Sequence, residues 1–162
     1  MARDLGTHGN FLEPKITFGY ADTRDKGTWT SSLEPHSLLS LVDHVDIARF
    51  AAAAFQNPQK FHQCRLALAS EELPVQEALD QLAEAIGDGR SLKALFMNDE
   101  EVKNAMTSDS WFFFSSEPAV RYCSDYTNLD ELSKLVPGMT TFKKYLEREK
   151  EAVTTTYTPL KR

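Results

Sequence analysis

The chain has 162 residues, a formal net charge of −6, 41% hydrophobic and 26% charged residues, enough for one domain with a real core and too few to expect two. The acidic balance argues against broad contact with nucleic acid or an anionic membrane. No run approaches the length of a membrane-spanning helix, and the opening MARDLGTHGN has no apolar signal-peptide core, so a cytoplasmic protein is expected.

Residues 1–36 read as an irregular lead-in, punctuated by Gly6, Gly9, Pro14, Gly19, Gly27 and Pro35. Gly6-Thr7-His8-Gly9 has the look of a phosphate-binding turn, but no apolar strand precedes it and no amphipathic helix follows directly. Ile16 to Tyr20 and Trp29 to Leu33 predict a short hairpin around Asp25, Lys26 and Gly27.

The organising stretch runs from Ser37 to Ile86 and reads strand, helix, strand, helix. Ser37 to Val42 is an apolar run that suits a buried strand. Asp43 stands as the N-cap of the next helix, with Asp46 a second carboxylate near the positive end of its dipole. That helix continues through Phe55, and its alanines Ala51 to Ala54 leave only Asp46, Arg49 and Gln56 as a polar stripe. It is therefore expected to be covered on most sides. Asn57-Pro58 stops it. Cys64 to Ala69 alternates as a second strand, with Cys64 a buried small hydrophobe. A strand, helix and strand at this spacing favour parallel pairing. Val75, Ala78, Leu79, Leu82, Ala83 and Ile86 then trace a helical stripe that ends at Gly87-Asp88-Gly89.

Further along, Leu92 to Phe96 suggests one more strand, and Asn98 to Glu101 matches a capping box. Trp111-Phe112-Phe113-Phe114 is the most apolar cluster; four adjacent aromatics cannot all face one core, so some cover a cleft, meet another domain or stay exposed. Asn128 caps a short helix carrying Leu129, Leu132, Leu135 and Val136. Thr140 or Thr141 caps a last helix that docks Phe142, Tyr145, Leu146 and Val153. The tail, residues 154–162, is expected to be loose.

Motifs that carry chemistry are sparse. His8, His36, His44 and His62 show no paired-ligand spacing, so no metal is expected. There is no G-x-S-x-G elbow and no H-E-x-x-H. Asp43 and Asp46 could form a carboxylate pair for acid–base work, but capping explains both. Lys143, Lys144, Arg148 and Lys150 alternate with Glu147, Glu149 and Glu151, which is a solvated helix face. A disulfide between Cys64 and Cys123 is not indicated.

The run LVDHVDIARFAAAAFQNPQKFHQCRLALASEEL (residues 41–73), with Asn10-Phe11-Leu12 upstream and MTTFKKYLEREK (139–150) near the end, resembles the later half of the NmrA-like proteins. These are atypical relatives of the short-chain dehydrogenases/reductases, in which D-x-x-D-I opens a helix and an aliphatic strand ends in Leu-Ala. The resemblance implies an α/β, partial Rossmann-like fold: the substrate-side half, with short parallel strands and covering helices over residues 37–153. It also implies an NADP-associated oxidoreductase acting on a small molecule, as in fungal-type secondary metabolism, with Asn10, Phe11 and Trp111 lining the cofactor or substrate cleft.

The chain departs from that family in three places. The strand and Gly-rich turn that receive the pyrophosphate are absent, Pro74 stands where relatives often have Ser or Thr, and no Tyr-x-x-x-Lys is present. Two further readings therefore stand beside the enzyme: a non-enzymatic NADP-sensing regulator or protein-binding module, and a truncated inactive family member. An isolated half leaves a sheet edge and an apolar face open, so self-association or a partner chain is expected.

Overall fold

The computed structural model describes residues 11–12, 20–105, 107 and 125–158; Asn10, residues 16–19, the 111–114 aromatic run and Cys123 lie outside them. The described chain is mixed α/β. Its elements are α1 (Tyr20–Lys26), β1 (Thr28–Ser31), β2 (Leu38–Leu41), α2 (His44–Gln56), β3 (Glu71–Pro74), α3 (Val75–Ile86), β4 (Lys93–Phe96), α4 (Asp99–Ala105), α5 (Leu129–Leu135), α6 (Phe142–Arg148) and α7 (Lys150–Tyr157).

The strands form two separate ladders. β1 pairs with β4 in parallel, Thr28 opposite Lys93 through Ser31 opposite Phe96. β2 pairs with β3 antiparallel, Leu38 opposite Pro74 through Leu41 opposite Glu71. The expectation of parallel pairing across the first helix is therefore corrected. The Cys64–Ala69 run forms no strand; its alternation places Leu66 and Leu68 against a small cluster around Phe50, Leu132 and Val136. Period-two alternation records one buried side, and an extended coil can bury one side without a ladder partner. Cys64, drawn out of that imagined strand, is exposed. The ladder with β2 begins only after Ser70, whose N–H and hydroxyl both donate to the Leu41 carbonyl, at 2.7 and 3.0 Å.

Of the hairpin expected in the lead-in, residues 16–19 lie outside the described residues, and the turn segment is a helix instead. Tyr20 to Lys26 is helical, with Asp22 and Lys26 paired at i,i+4. Gly27, at φ 70°, then reverses the chain into β1. A Cβ there would lie 3.0 Å from the Ser91 carbonyl oxygen, so this position needs glycine for both conformation and space.

α3 forms as its stripe requires. Val75, Ala78, Leu79, Leu82 and Ile86 are buried, and Gly87 closes the helix in the left-handed conformation. Pro74 precedes it without a side-chain capping bond. The main core gathers these residues with Leu33, Leu41, Leu73 and Leu92 and with Phe142, Tyr145, Leu146, Val153 and Tyr157 from α6 and α7. α7 runs four residues into the segment expected to be loose: Tyr157 is fully buried, and its hydroxyl donates to the Phe11 carbonyl at 2.6 Å.

Three caps stand as the sequence predicts. Asn98 and Glu101 exchange hydrogen bonds at 2.8 and 3.0 Å ahead of α4. Asn128 accepts from the Glu131 N–H and Thr141 from the Lys144 N–H.

Candidate functional site

Asp43 and Asp46 set the orientation of α2. Asp43 has no exposed surface; its Oδ1 accepts from the Val45 N–H at 2.9 Å and its Oδ2 from Arg148 Nη1 at 2.7 Å. Burial pushes this carboxyl up, but the hydrogen bonds from Arg148 and Val45, with the nearby charges of Arg148 and His44, outweigh it and hold Asp43 below the usual carboxylate range. The Arg148 guanidinium is raised in turn, chiefly by Asp43 and then by Glu149. Asp46, equally buried, accepts from Arg49 Nη1 at 2.6 Å and from the Thr140 N–H at 2.6 Å. Arg49 continues to the Pro137 and Gly138 carbonyls.

These contacts turn the polar stripe of α2 inward. Asp46, Arg49 and the apolar Phe50 face α5, α6 and the loop between them, while the opposite side faces out. Val45 is 44% exposed and Phe55 86%, and Ala48, Ala51 and Ala52 between them are exposed too. The expectation that this helix is covered on most sides is corrected: among the described residues only Asp46 and Phe50 of α2 are buried. Positions 45, 48, 52 and 55 follow the 3.6-residue period, so they form one stripe of about 15 Å. Four large hydrophobic side chains are exposed among the described residues (Val45, Phe55, Leu95 and Tyr126), and two of them are on this stripe.

Phe11, a candidate for the cleft, lies in the main core, 6% exposed. Its ring is 4.8 Å from that of Phe142 and 5.6 Å from that of Trp29. Asn10 and Trp111, the other two cleft candidates, lie outside the described residues. Asp43 and Asp46 each spend their oxygens on Arg148, Arg49 and backbone N–H groups, which leaves neither positioned for acid–base work.

Two surface depressions border α3. One, of about 180 Å³, lies between α3 and α6–α7 and is lined by Gln81, Glu84, Lys143, Leu146, Glu147 and Lys150; Lys143 and Glu84 pair across its rim at 3.1 Å. The other, about 450 Å³ and open, sits at the end of α3 against Gly87, Gly89 and Arg90. Its glycines do not make it a phosphate site. It faces the negative end of the helix dipole, and Arg90 is engaged by Asp88 and by the Arg24 carbonyl. No group of three or more His, Cys, Asp or Glu that could hold a metal ion occurs among the described residues, and no helix among them is long and apolar enough to cross a membrane.

No protein-family model matches the chain, and no curated protein matches it.

The outward face of α2 is the feature that sequence reasoning missed. The signal available was the i,i+3 pair Asp46 and Arg49 on a helix that is otherwise apolar. It leaves open which side of the helix meets the protein, because that depends on acceptors and donors contributed from residues 137–148.

Proposed function

We propose that this chain is a non-enzymatic protein-binding module whose docking surface is the outward face of α2. One observation carries the reading: a helix that buries its charged side in ion pairs and leaves a continuous apolar stripe, ended by a largely exposed Phe55, in water. The described residues supply no competing constellation of nucleophile, base and electrophile. The test is to immobilise the purified chain and compare what wild type and Phe55→Lys retain from a cell extract. A discrete protein held by wild type and lost by the variant supports the module. Identical retention, or none, overturns it.

The second reading is the NADP-associated oxidoreductase of NmrA-like type, with a Rossmann-like half fold. Its support is the Asp43-x-x-Asp46-Ile47 opening of α2 and the order of the upstream and downstream segments that accompany it. A thermal melt with millimolar NADPH tests it. Ligand at about a hundred times its Kd stabilises by about 2.7 kcal/mol, a rise of roughly 5–10 °C for a chain of this size. An unchanged cooperative melt counts against a nucleotide site. A broad or absent transition fits a truncated, inactive member of the family.

A further inference from the structure

We infer that the partner of the α2 face is a second copy of this chain, docked through the same face in antiparallel orientation; this inference rests on the protein-binding reading above. The stripe is nearly symmetric about its own centre, with Val45 and Phe55 at the ends and Ala48, Ala51 and Ala52 between. A two-fold axis through its middle sets Phe55 of each copy over Val45 of the other and lets the alanines meet at the crossing. Small side chains there allow the two backbones to approach closely, and the two Phe rings fill the space at either end. A closed two-fold contact of this kind uses one patch twice and stops at the dimer.

Charge favours this occupant. The chain carries −6 overall, so most contacts between two copies set like charges against each other. The exposed sides of the other helices are studded with ionised groups: Glu77, Asp80 and Glu84 on α3, Glu100 and Glu101 on α4, Asp130 and Glu131 on α5. The outward stripe of α2 carries no Asp, Glu, Lys or Arg; its one ionisable side chain, His44, opens the helix and pairs with Asp43 at 3.2 Å. The acids of this helix, Asp43 and Asp46, are turned inward and neutralised by Arg148 and Arg49. The charge that borders the stripe, Arg49, is held by Asp46 and two carbonyls. Two copies meet on this face without burying an unpaired charge.

A single helix pair of about 15 Å belongs to the small end of interface sizes, below about 1,200 Å² in total. The dimer is therefore expected to form with a Kd between about 1 μM and 1 mM, dependent on concentration. Being apolar, it should persist or strengthen as salt is raised.

Sedimentation equilibrium of the purified chain from about 10 μM to 1 mM tests this, with Phe55→Lys and Ala52→Lys beside wild type. Both substituted side chains are exposed, and lysine near the end of a helix suits its dipole. The variants should therefore melt as wild type does, and the melt is measured to show it. The expected result is a reversible monomer–dimer equilibrium for wild type, weakened at least tenfold in each variant. Wild type monomeric throughout overturns the second copy as partner. Phe55-dependent capture of a different protein, scored separately, would then still uphold the binding module. A dimer that survives both variants overturns the assignment of this face.

Discussion

The Asp43 carboxylate is bonded on one side to the first turn of its own helix and on the other to Arg148, more than a hundred residues away. Replacing it with Ala removes a helix cap and leaves a guanidinium without its buried partner. Arg148 keeps part of its surface in water, so the loss is moderated, and about 2–3 kcal/mol is expected from chemical denaturation of Asp43→Ala. The pH dependence separates two carboxylates. Asp43 titrates below its unfolded value, so its contribution is complete above about pH 4 and lost as pH falls through the depressed folded value. Glu71 behaves oppositely. Burial raises it, against the opposing hydrogen bond from the Phe142 N–H and with help from Glu77. A carboxyl raised on folding favours the native state as it protonates, so Glu71 adds stability as pH falls from neutral towards the ordinary glutamate range. The melting temperature should thus rise slightly on mild acidification and drop below about pH 4. Glu71→Gln should abolish the rise and keep the drop; a rise that survives in that variant would exclude Glu71 as its source.

At the scale of elements, Gln76 takes the place of a missing strand. Its Nε2 donates to the Leu92 carbonyl and its Oε1 accepts from the Ala94 N–H, both at 2.9 Å, as the next strand beside β4 would do. A two-stranded parallel ladder is marginal by itself, and this amide ties it to the first turn of α3. Gln76→Ala leaves both backbone groups without that partner and is expected to destabilise by about 1–3 kcal/mol. Gln76→Glu keeps the acceptor but sets a carboxylate against the Leu92 carbonyl and against Asp80, to which Nε2 also donates at 2.8 Å, so it should cost at least as much as alanine. Equal stability of all three proteins would show that water replaces the amide freely. α2 offers a second contrast at this scale. Phe50 packs inward with Leu132 and Val136, whereas Phe55, five residues on, is largely exposed. Phe50→Ala should cost about 3–5 kcal/mol, and Phe55→Ala no more than about 0.5 kcal/mol in the monomer. A large loss at Phe55 in dilute protein would mean that the stripe is covered within the chain.

For the whole molecule, α6 and α7 complete the core laid down by α3. Phe142, Tyr145, Leu146, Val153 and Tyr157 close over the α3 stripe, and Tyr20 and Tyr157 bring the chain's early and late segments together with ring centroids 5.7 Å apart. The Tyr20 hydroxyl donates to the Thr156 carbonyl. Burial pushes the Tyr145 phenol up to about 12 and the Tyr157 phenol higher still. A chain ending at Thr154 loses Tyr157, its bond to the Phe11 carbonyl and the last turn of α7. It should melt without a cooperative transition, or tens of degrees lower, by circular dichroism. A truncated chain that melts like the full one would show that the terminal turn is dispensable.

Residues 75–105 and 128–148 were largely legible in the sequence, because their signals are local. The α3 stripe and Gly87, the Asn98–Glu101 capping box and the Asn128 and Thr141 caps each involve residues within one or two helical turns, where spacing dictates geometry. The sequence alone thereby determined the acidic mixed α/β character of the chain, the existence of α2 and α3, and the capping roles of Asp43 and Asn128, and it narrowed the cap of α6 to Thr140 or Thr141. Only the tertiary structure decided three other matters. It paired β2 antiparallel with Glu71–Pro74 instead of parallel with Cys64–Ala69, since ladder direction depends on the path of the return chain. It drew Phe11 and Tyr157 into the core, since neither lies in a periodic run that marks it as buried. It also turned the polar side of α2 inward. An amphipathic pattern says that a helix has two faces, but which one is buried was settled here by Arg148 and the Thr140 N–H, partners roughly a hundred residues away that compensate two carboxylates removed from water.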